Sequence, residues 1–432
     1  MAARGLVVAG LCSGSGKTTV TLGLLRAMTR VGTAIGAAKS GPDYIDTAFL
    51  SAACGAPAVN LDSHAMMPAQ IRQLAGAQPH DLLLVEGVMG LFDGTDGGSG
   101  STASVAEALG APVMLVIDCR KQAQTAAALA AGIATQLPTA SRLAGVVLNR
   151  VASARHEALI TAALAERGIA CFGSLPVDNG IAVPSRHLGL VQAADLAASG
   201  TLEPRIEAAA DLVARHLNLA AITAAFGNLS PAAGPAIALP PPGQSIALAR
   251  DAAFGFAYEH MIAGWRSAGA EILPFSPLAD EAPDANADFI FIPGGYPELH
   301  LPALAAATRT MDGLRQAATG GTRIYGECGG YMFLGERIID KDGTPVRMTG
   351  LLRLETSFAA RKLHLGYREM TPLVPFWRDL DGPVTGHEFH YTTATRAEGD
   401  ALFAMRNAGG DDLGVAGLVS GSVAGSYAHI IA

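Results

Sequence analysis

Cys328 stands in RIYGECGGYM, residues 323–332, between an apolar run and two glycines. An apolar strand that turns tightly through glycines into a helix can expose a thiol, and a helix N-terminus lowers its pKa. The same residues also suit a small buried side chain at a tight turn, so the surroundings must decide. In FIFIPGGYPELH, residues 289–300, a second apolar run ends in two glycines. Backbone N–H groups near Gly295 and Gly329 would then be placed to hold an oxyanion. A thiol nucleophile also needs a base, and His364, His387, His390 and His429 all follow the cysteine.

A second chemistry lies at the other end of the chain. LVVAGLCSGSGKTTVTLGLL, residues 6–25, reads as a strand, a glycine loop and a helix. The loop amides of Gly14, Ser15 and Gly16 would cradle phosphates, with Lys17 on the β/γ oxygens, Thr18 on Mg²⁺ and Thr19 beside it. The pattern departs from G-x-x-x-x-G-K-[ST] at its first glycine, where position 11 is Leu. DLLLVEGVMGLFDG, residues 81–94, supplies acids: Glu86 at the end of a buried strand and Asp93 on the loop after it. In AKSGPDYIDTAFL, residues 38–50, Lys39 ends a strand and Asp43, Tyr44 and Asp46 cluster behind a Gly-Pro turn. A helix N-cap accounts for one of these aspartates but not both. Lys39 would neutralise an anionic intermediate, and Asp43 and Asp46 would hold metal or orient substrate. Asn149 in VVLNR and the stretch SLPVD end later strands; each suits an adenine contact or an ordinary strand-end polar residue equally well.

These residues sit on a regular alternation of elements. LVVAGL, AIGAAK, DLLLVEG, PVMLVID, LAGVVLN and IACFGSLP are apolar runs separated by Ala- and Leu-rich helical segments. That pattern predicts βα units around a parallel sheet buried on both faces. After GNLSPAAGPAIALPPPGQ it restarts with SIALAR, AEILPFS, FIFIPGG and RIYGEC. The expected organisation is two α/β domains: residues 1–226, a Pro- and Gly-rich linker over 227–244, and residues 245–432.

With 432 residues, 50% apolar and 16% charged, the chain suits a well-buried protein of two domains. The formal net charge of −8, without a run of Lys or Arg, gives no support to nucleic-acid binding. No apolar stretch reaches the length of a membrane span, and the apolar N-terminus reads as a first strand. The five dispersed cysteines suit a reducing cytoplasm and argue against a disulfide framework or a zinc site.

Taken in order, SGSGKTT, GPDYID, PGGYPE, YGECGGYM, GHEFHY and the final SYAH resemble the cobyrinic/hydrogenobyrinic acid a,c-diamide synthase family over essentially the whole chain. The resemblance implies a dethiobiotin-synthetase-like P-loop domain, binding ATP and corrin, joined to a class I glutamine-amidotransferase-like α/β domain. It makes Cys328 the nucleophile and His429 its base. Ordinary class I glutaminases carry an acid two residues after that histidine; here the position is Ile431. A Cys–His dyad is therefore expected. The implied reaction is ATP-dependent amidation of ring acetates, with ammonia from glutamine and Mg²⁺ accompanying ATP. Lys17, Thr18, Lys39, Asp43, Asp46 and Glu86 would serve phosphoryl transfer. Thr18, Asp43 and Glu86 would serve the metal, and Tyr44 and Asp93 the ring substrate. That substrate is hydrogenobyrinic or cobyrinic acid, with a lean toward the cobalt-free ring; a homodimer is allowed. Cobyric acid synthase and nickel-sirohydrochlorin a,c-diamide synthase are the neighbouring enzymes. A P-loop switch protein is the rival outside enzymes, and it leaves Cys328 and His429 without purpose.

Overall fold

The computed structural model describes residues 4–177, 193–232, 239–377, 380 and 382–432. Two compact units divide it, Met1–Ile237 and Ala238–Ala432.

In the first unit, Arg4–Gly10 is the central strand of a sheet of eight. Leu82–Glu86 and then Ile35–Ser40 and Val59–Leu61 lie on one side; Val113–Asp118, Leu143–Val151 and Cys171–Pro176 lie on the other. These seven strands are parallel. Leu6, Val7, Val8 and Leu82 to Val85 are at most 2% exposed, because helices cover both faces. The chain leaves Arg4–Gly10 toward one side of the sheet and later crosses to the other. The carboxyl end of that strand is therefore a topological switch point, where open α/β sheets hold ligands. The start of the expected linker belongs to this sheet: Gly227–Asn228 pairs antiparallel with Arg4 and Gly5. Residues 233–238 of the linker lie outside the described residues, as does Asp178 at the end of SLPVD.

The second unit holds a six-stranded sheet in the order Glu271–Phe275, Ser245–Ala249, Phe289–Ile292, Arg323–Glu327, Val423–Ser426, Leu418–Ser420. All neighbours are parallel except the last pair. The apolar runs account for its first four strands. Two further sheets, of four and five strands, follow the helix Gly329–Leu334. Their strands, such as His364–Pro372 and Thr393–Glu398, carry polar residues and mixed burial. These two sheets, antiparallel except where Arg337–Ile339 pairs parallel with Arg353–Ser357, were not legible as apolar runs.

Candidate active site

The glycine loop of the first unit is fixed from several sides. Gly14 and Gly16 have φ of 77° and 96°, and Gly16 precedes the helix Lys17–Arg30 without a side-chain cap. Ser15 Oγ donates to the Cys12 carbonyl at 2.7 Å. Asn149 Nδ2 donates to the Ser15 carbonyl at 2.8 Å, and Arg150 Nη1 donates to the Gly14 carbonyl at 2.7 Å. The amide of Asn149 therefore braces the phosphate loop from near the end of its strand. It sits so close that a methyl group on Gly16 would lie 2.1 Å from Nδ2. Arg150, in the left-handed region at φ 57°, also pairs with Asp118 at 2.7 Å. Sequence reasoning missed that brace, because an exposed-looking Arg at a strand end carries no pattern. Thr19 follows Lys17 and Thr18 in the first turn of the helix.

Lys17 Nζ donates to the carbonyls of Met89 at 2.5 Å and Cys12 at 3.3 Å. Burial, and then the charge of Lys39, lower its pKa. Met89 accepts this bond from a left-handed backbone at φ 43°, a conformation that costs a β-carbon-bearing residue about 1–3 kcal/mol.

Beside the loop lies a buried charge cluster. Lys39 Nζ reaches Asp46 Oδ2 at 2.5 Å and Glu86 Oε1 at 3.1 Å. Strand register places Lys39 opposite Glu86 and Glu86 opposite Val8. Burial opposes the charge on Lys39, but the Asp46 and Glu86 carboxylates outweigh it and hold the ammonium protonated. Glu86 is fully buried, and burial raises its pKa against the pull of Lys39. Its Oε1 also accepts from Thr18 Oγ1 at 2.6 Å, whereas Oε2 is buried without a hydrogen-bond partner. Thr18 and an orphaned carboxylate oxygen fit a hard cation that keeps waters and phosphates as its other ligands. Among the described residues no group of three or more His, Cys, Asp and Glu forms a metal cage.

Asp43 caps the helix Tyr44–Cys54, accepting from the amides of Ile45 at 2.9 Å and Asp46 at 3.1 Å. Burial, then repulsion from Asp46, raise its pKa to about 7. Asp43 is therefore the helix cap, and Asp46 pairs with Lys39 in the ion cluster. Tyr44 is only 6% exposed, which leaves little of its ring for a large substrate and runs against the expected contact. Asp93 is exposed and closes a turn by accepting from Gly90 N at 2.8 Å.

In the second unit, Cys328 has φ 45° and ψ −101°, and the helix Gly329–Leu334 starts directly after it. The strained elbow is present. The sulfur, however, is not held out to solvent: Cys328 is 4% exposed. Burial, followed by the charges of Glu298, Glu327 and Glu388, drives the thiol pKa well up, and the Gly329 amide lowers it only in part. The expected depression by the helix terminus is thus corrected, since desolvation without a nearby cation dominates. The resting group is a thiol.

The elbow is set by backbone approach. Gly330 N donates to the Pro293 carbonyl at 3.1 Å, and a methyl on Gly330 would lie 1.9 Å from the Ile292 carbonyl oxygen. A methyl on Gly329 would lie 2.9 Å from Gly295 N, so the two glycine turns face each other as the oxyanion reading requires. We expect Gly330→Ala to destabilise this unit by about 1–3 kcal/mol or more, the scale of overpacking. Denaturant unfolding checks this; an unchanged midpoint would show that the elbow tolerates the displacement.

His429 lies on Ala428–Ile430, just beyond the strand Val423–Ser426, which runs parallel beside the strand leading to Cys328. Cys328 N donates to the Ser426 carbonyl at 2.8 Å. The His429 ring packs so tightly on the first turn that a methyl on Gly294 would lie 2.1 Å from its Cε1. Burial, then the neighbouring His387 and His390, lower its pKa to about 3, so the imidazole is neutral, and the ring is hydrogen-bonded to the Phe256 backbone. Of the other histidines, His387 pairs across the sheet with His429. His390 Nε2 lies 2.9 Å from Glu388 Oε1, and Arg368 Nε holds Glu388 Oε2 at 2.7 Å. That trio lies near the elbow: the Phe389 carbonyl is 4.0 Å from Cys328 Sγ. Ile431 is buried, and its carbonyl is 2.9 Å from His260 Nε2.

Comparison with known proteins covers both units. Residues 6–191 match the CobQ/CobB/MinD/ParA nucleotide binding domain, and residues 245–432 match the CobB/CobQ-like glutamine amidotransferase domain. A Sinorhizobium protein named hydrogenobyrinate a,c-diamide synthase is 51% identical over 99% of this chain and 98% of its own length. Proteins of the same name from Rhizobium meliloti and Rhodobacter capsulatus are each 49% identical, over 99% of this chain and 99% of theirs.

Proposed function

Because this chain belongs to the hydrogenobyrinate a,c-diamide synthase family, we propose that it amidates the a and c acetates of hydrogenobyrinic acid, using ATP and glutamine. The observation that carries this reading is the pairing, in one chain, of a braced phosphate loop with a cysteine elbow.

In the second unit, His429 takes the Cys328 proton as the sulfur attacks the glutamine side-chain carbon. The carbonyl electron pair moves to oxygen, which faces the amides near Gly295 and Gly329. The proton passes to the departing nitrogen, ammonia leaves, and water hydrolyses the thioester to glutamate. In the first unit, an acetate oxygen attacks the γ-phosphorus of ATP and ADP departs. Ammonia then attacks the acyl phosphate carbon and phosphate leaves. Lys17 and the loop amides bind the phosphates, and Lys39 offsets charge on the activated carboxylate. Mg²⁺, held by Thr18 and Glu86, would supply charge neutralisation at the phosphates. Asp43 positions the Asp46 helix from its cap. The compartment that suits the five free thiols is the cytoplasm, and no helix among the described residues is long and apolar enough to cross a membrane.

The test is to supply ATP, Mg²⁺ and glutamine with hydrogenobyrinic or cobyrinic acid and weigh the products. A diamide from the cobalt-free ring is expected; no amide from either acid would reject the reading. Glu86→Gln should reduce amidation through kcat by at least about 10²-fold, because it removes charge beside the transferring phosphoryl group. Gln retains an acceptor for Thr18 and Lys39, so the fold should hold. Asp43→Asn keeps a capping oxygen and should act more weakly. Normal turnover in the Glu86 variant would remove that residue from phosphoryl transfer.

A further inference from the structure

Tyr44, the expected ring contact, is buried, so a large substrate needs another surface beside the phosphate loop. The segment after Glu86 offers one. Of the 14 phenylalanines, eight tyrosines and two tryptophans in the chain, Phe92 alone is exposed. Met89 is exposed to the same degree, 43%. Between them, Leu91 is buried and ties the segment down. Its amide donates to the carbonyl of Gly10, the last residue of the central strand, and its carbonyl accepts from the Ala103 amide, both at 2.9 Å. Thr102 Oγ1 accepts from the Val88 amide at 2.9 Å and donates to the Val88 carbonyl at 3.0 Å. Asp93 closes the turn on Gly90 through its side chain at 2.8 Å and its amide at 3.1 Å. Met89 and Phe92 are therefore held outward by a turn that is fixed on both sides. The Met89 carbonyl also receives Lys17 Nζ at 2.5 Å, so this turn adjoins the cation of the phosphate loop.

We propose that Met89 and Phe92 seat one face of the ring substrate, a macrocycle that is apolar across its face and carries carboxylates at its rim. An acetate that attacks the γ-phosphorus approaches beside Lys17, which brings the body of the molecule over this turn. A thioether and a phenyl ring both suit a broad apolar surface, and neither competes with ATP for hydrogen bonds. Covering their exposed area favours binding, while the fixed turn leaves little to order when the ring arrives.

This inference deepens the ring-amidation reading and rests on it. Equilibrium dialysis of hydrogenobyrinic acid against the full chain, with Mg²⁺ and a non-hydrolysable ATP analogue present, tests it. Phe92→Ala and Met89→Gly should each raise the Kd for the ring by about 5- to 10-fold, and the double variant by about 25- to 100-fold. Glycine suits position 89 because it accepts the left-handed backbone without strain and keeps the carbonyl for Lys17. Met89→Leu conserves volume and should bind the ring nearly as the wild type does. Affinity for the ATP analogue should stay the same in all of these variants, which reports an intact phosphate loop. A double variant with wild-type ring affinity would overturn the proposal. So would a loss of ring affinity matched by an equal loss for the ATP analogue, because the turn would then serve Lys17 and not the ring. Wild-type protein that binds neither hydrogenobyrinic nor cobyrinic acid would reject the ring-amidation reading itself. Wild-type binding that the double variant leaves unchanged would reject only the seat.

Discussion

Cys328→Ala is expected to abolish amidation driven by glutamine and to retain amidation driven by ammonium salt at a pH that supplies free NH₃. Removing a hydrolase nucleophile costs on the order of 10⁶-fold in kcat, so the glutamine reaction should fall to background. The ammonia reaction needs only the phosphoryl chemistry, in which the sulfur has no part. His429→Ala should follow the same pattern and nearly to the same depth. The resting sulfur is a buried thiol whose pKa is driven up, so no standing thiolate survives to attack without a base. A folded Cys328→Ala protein that makes no amide from ammonia would sink the two-site scheme, because the cysteine would then serve more than glutaminolysis.

Lys17→Ala gives the complementary result, with both nitrogen sources failing. Lys17 contributes the flexible cation of the phosphate loop, and a contact that strengthens as charge develops on a transferring phosphoryl group is worth at least about 10²-fold in kcat. Its present bonds to the Cys12 and Met89 carbonyls hold Nζ at the mouth of the loop. Glutamine hydrolysis measured alone should persist in Lys17→Ala, which distinguishes the lesion from unfolding. Retained amidation with ammonia would show that the loop binds nucleotide without using this lysine in catalysis.

How far these sites could be read in advance depends on the range of the interactions that make them. The phosphate loop was legible because strand, glycines, lysine and helix are contiguous and each has a local backbone reason. The buried parallel strands were legible for the same reason, as unbroken apolar runs. Val59–Leu61 escaped notice: it spans three residues and has a polar Asn60 at its centre. The antiparallel strands of the second unit escaped because their burial is mixed and depends on which sheet face is covered. Lys39 could be placed at a strand end, but its enclosure between Asp46 and Glu86 depends on strand order. Cys328 shows the limit most clearly. Its turn could be read from two glycines, whereas the desolvation that governs its thiol comes from segments far along the chain.

The parallel pairing of Arg323–Glu327 with Val423–Ser426 bears on the order in which the protein matures. Closing a connection of that length has an entropic cost that must be met before its contacts can reward it, so such pairings form slowly. The phosphate loop shares that cost, since Asn149 and Arg150 brace it from 134 and 136 residues away. A chain caught before that pairing forms would leave Cys328 without the carbonyl of Ser426, and it would not squander glutamine.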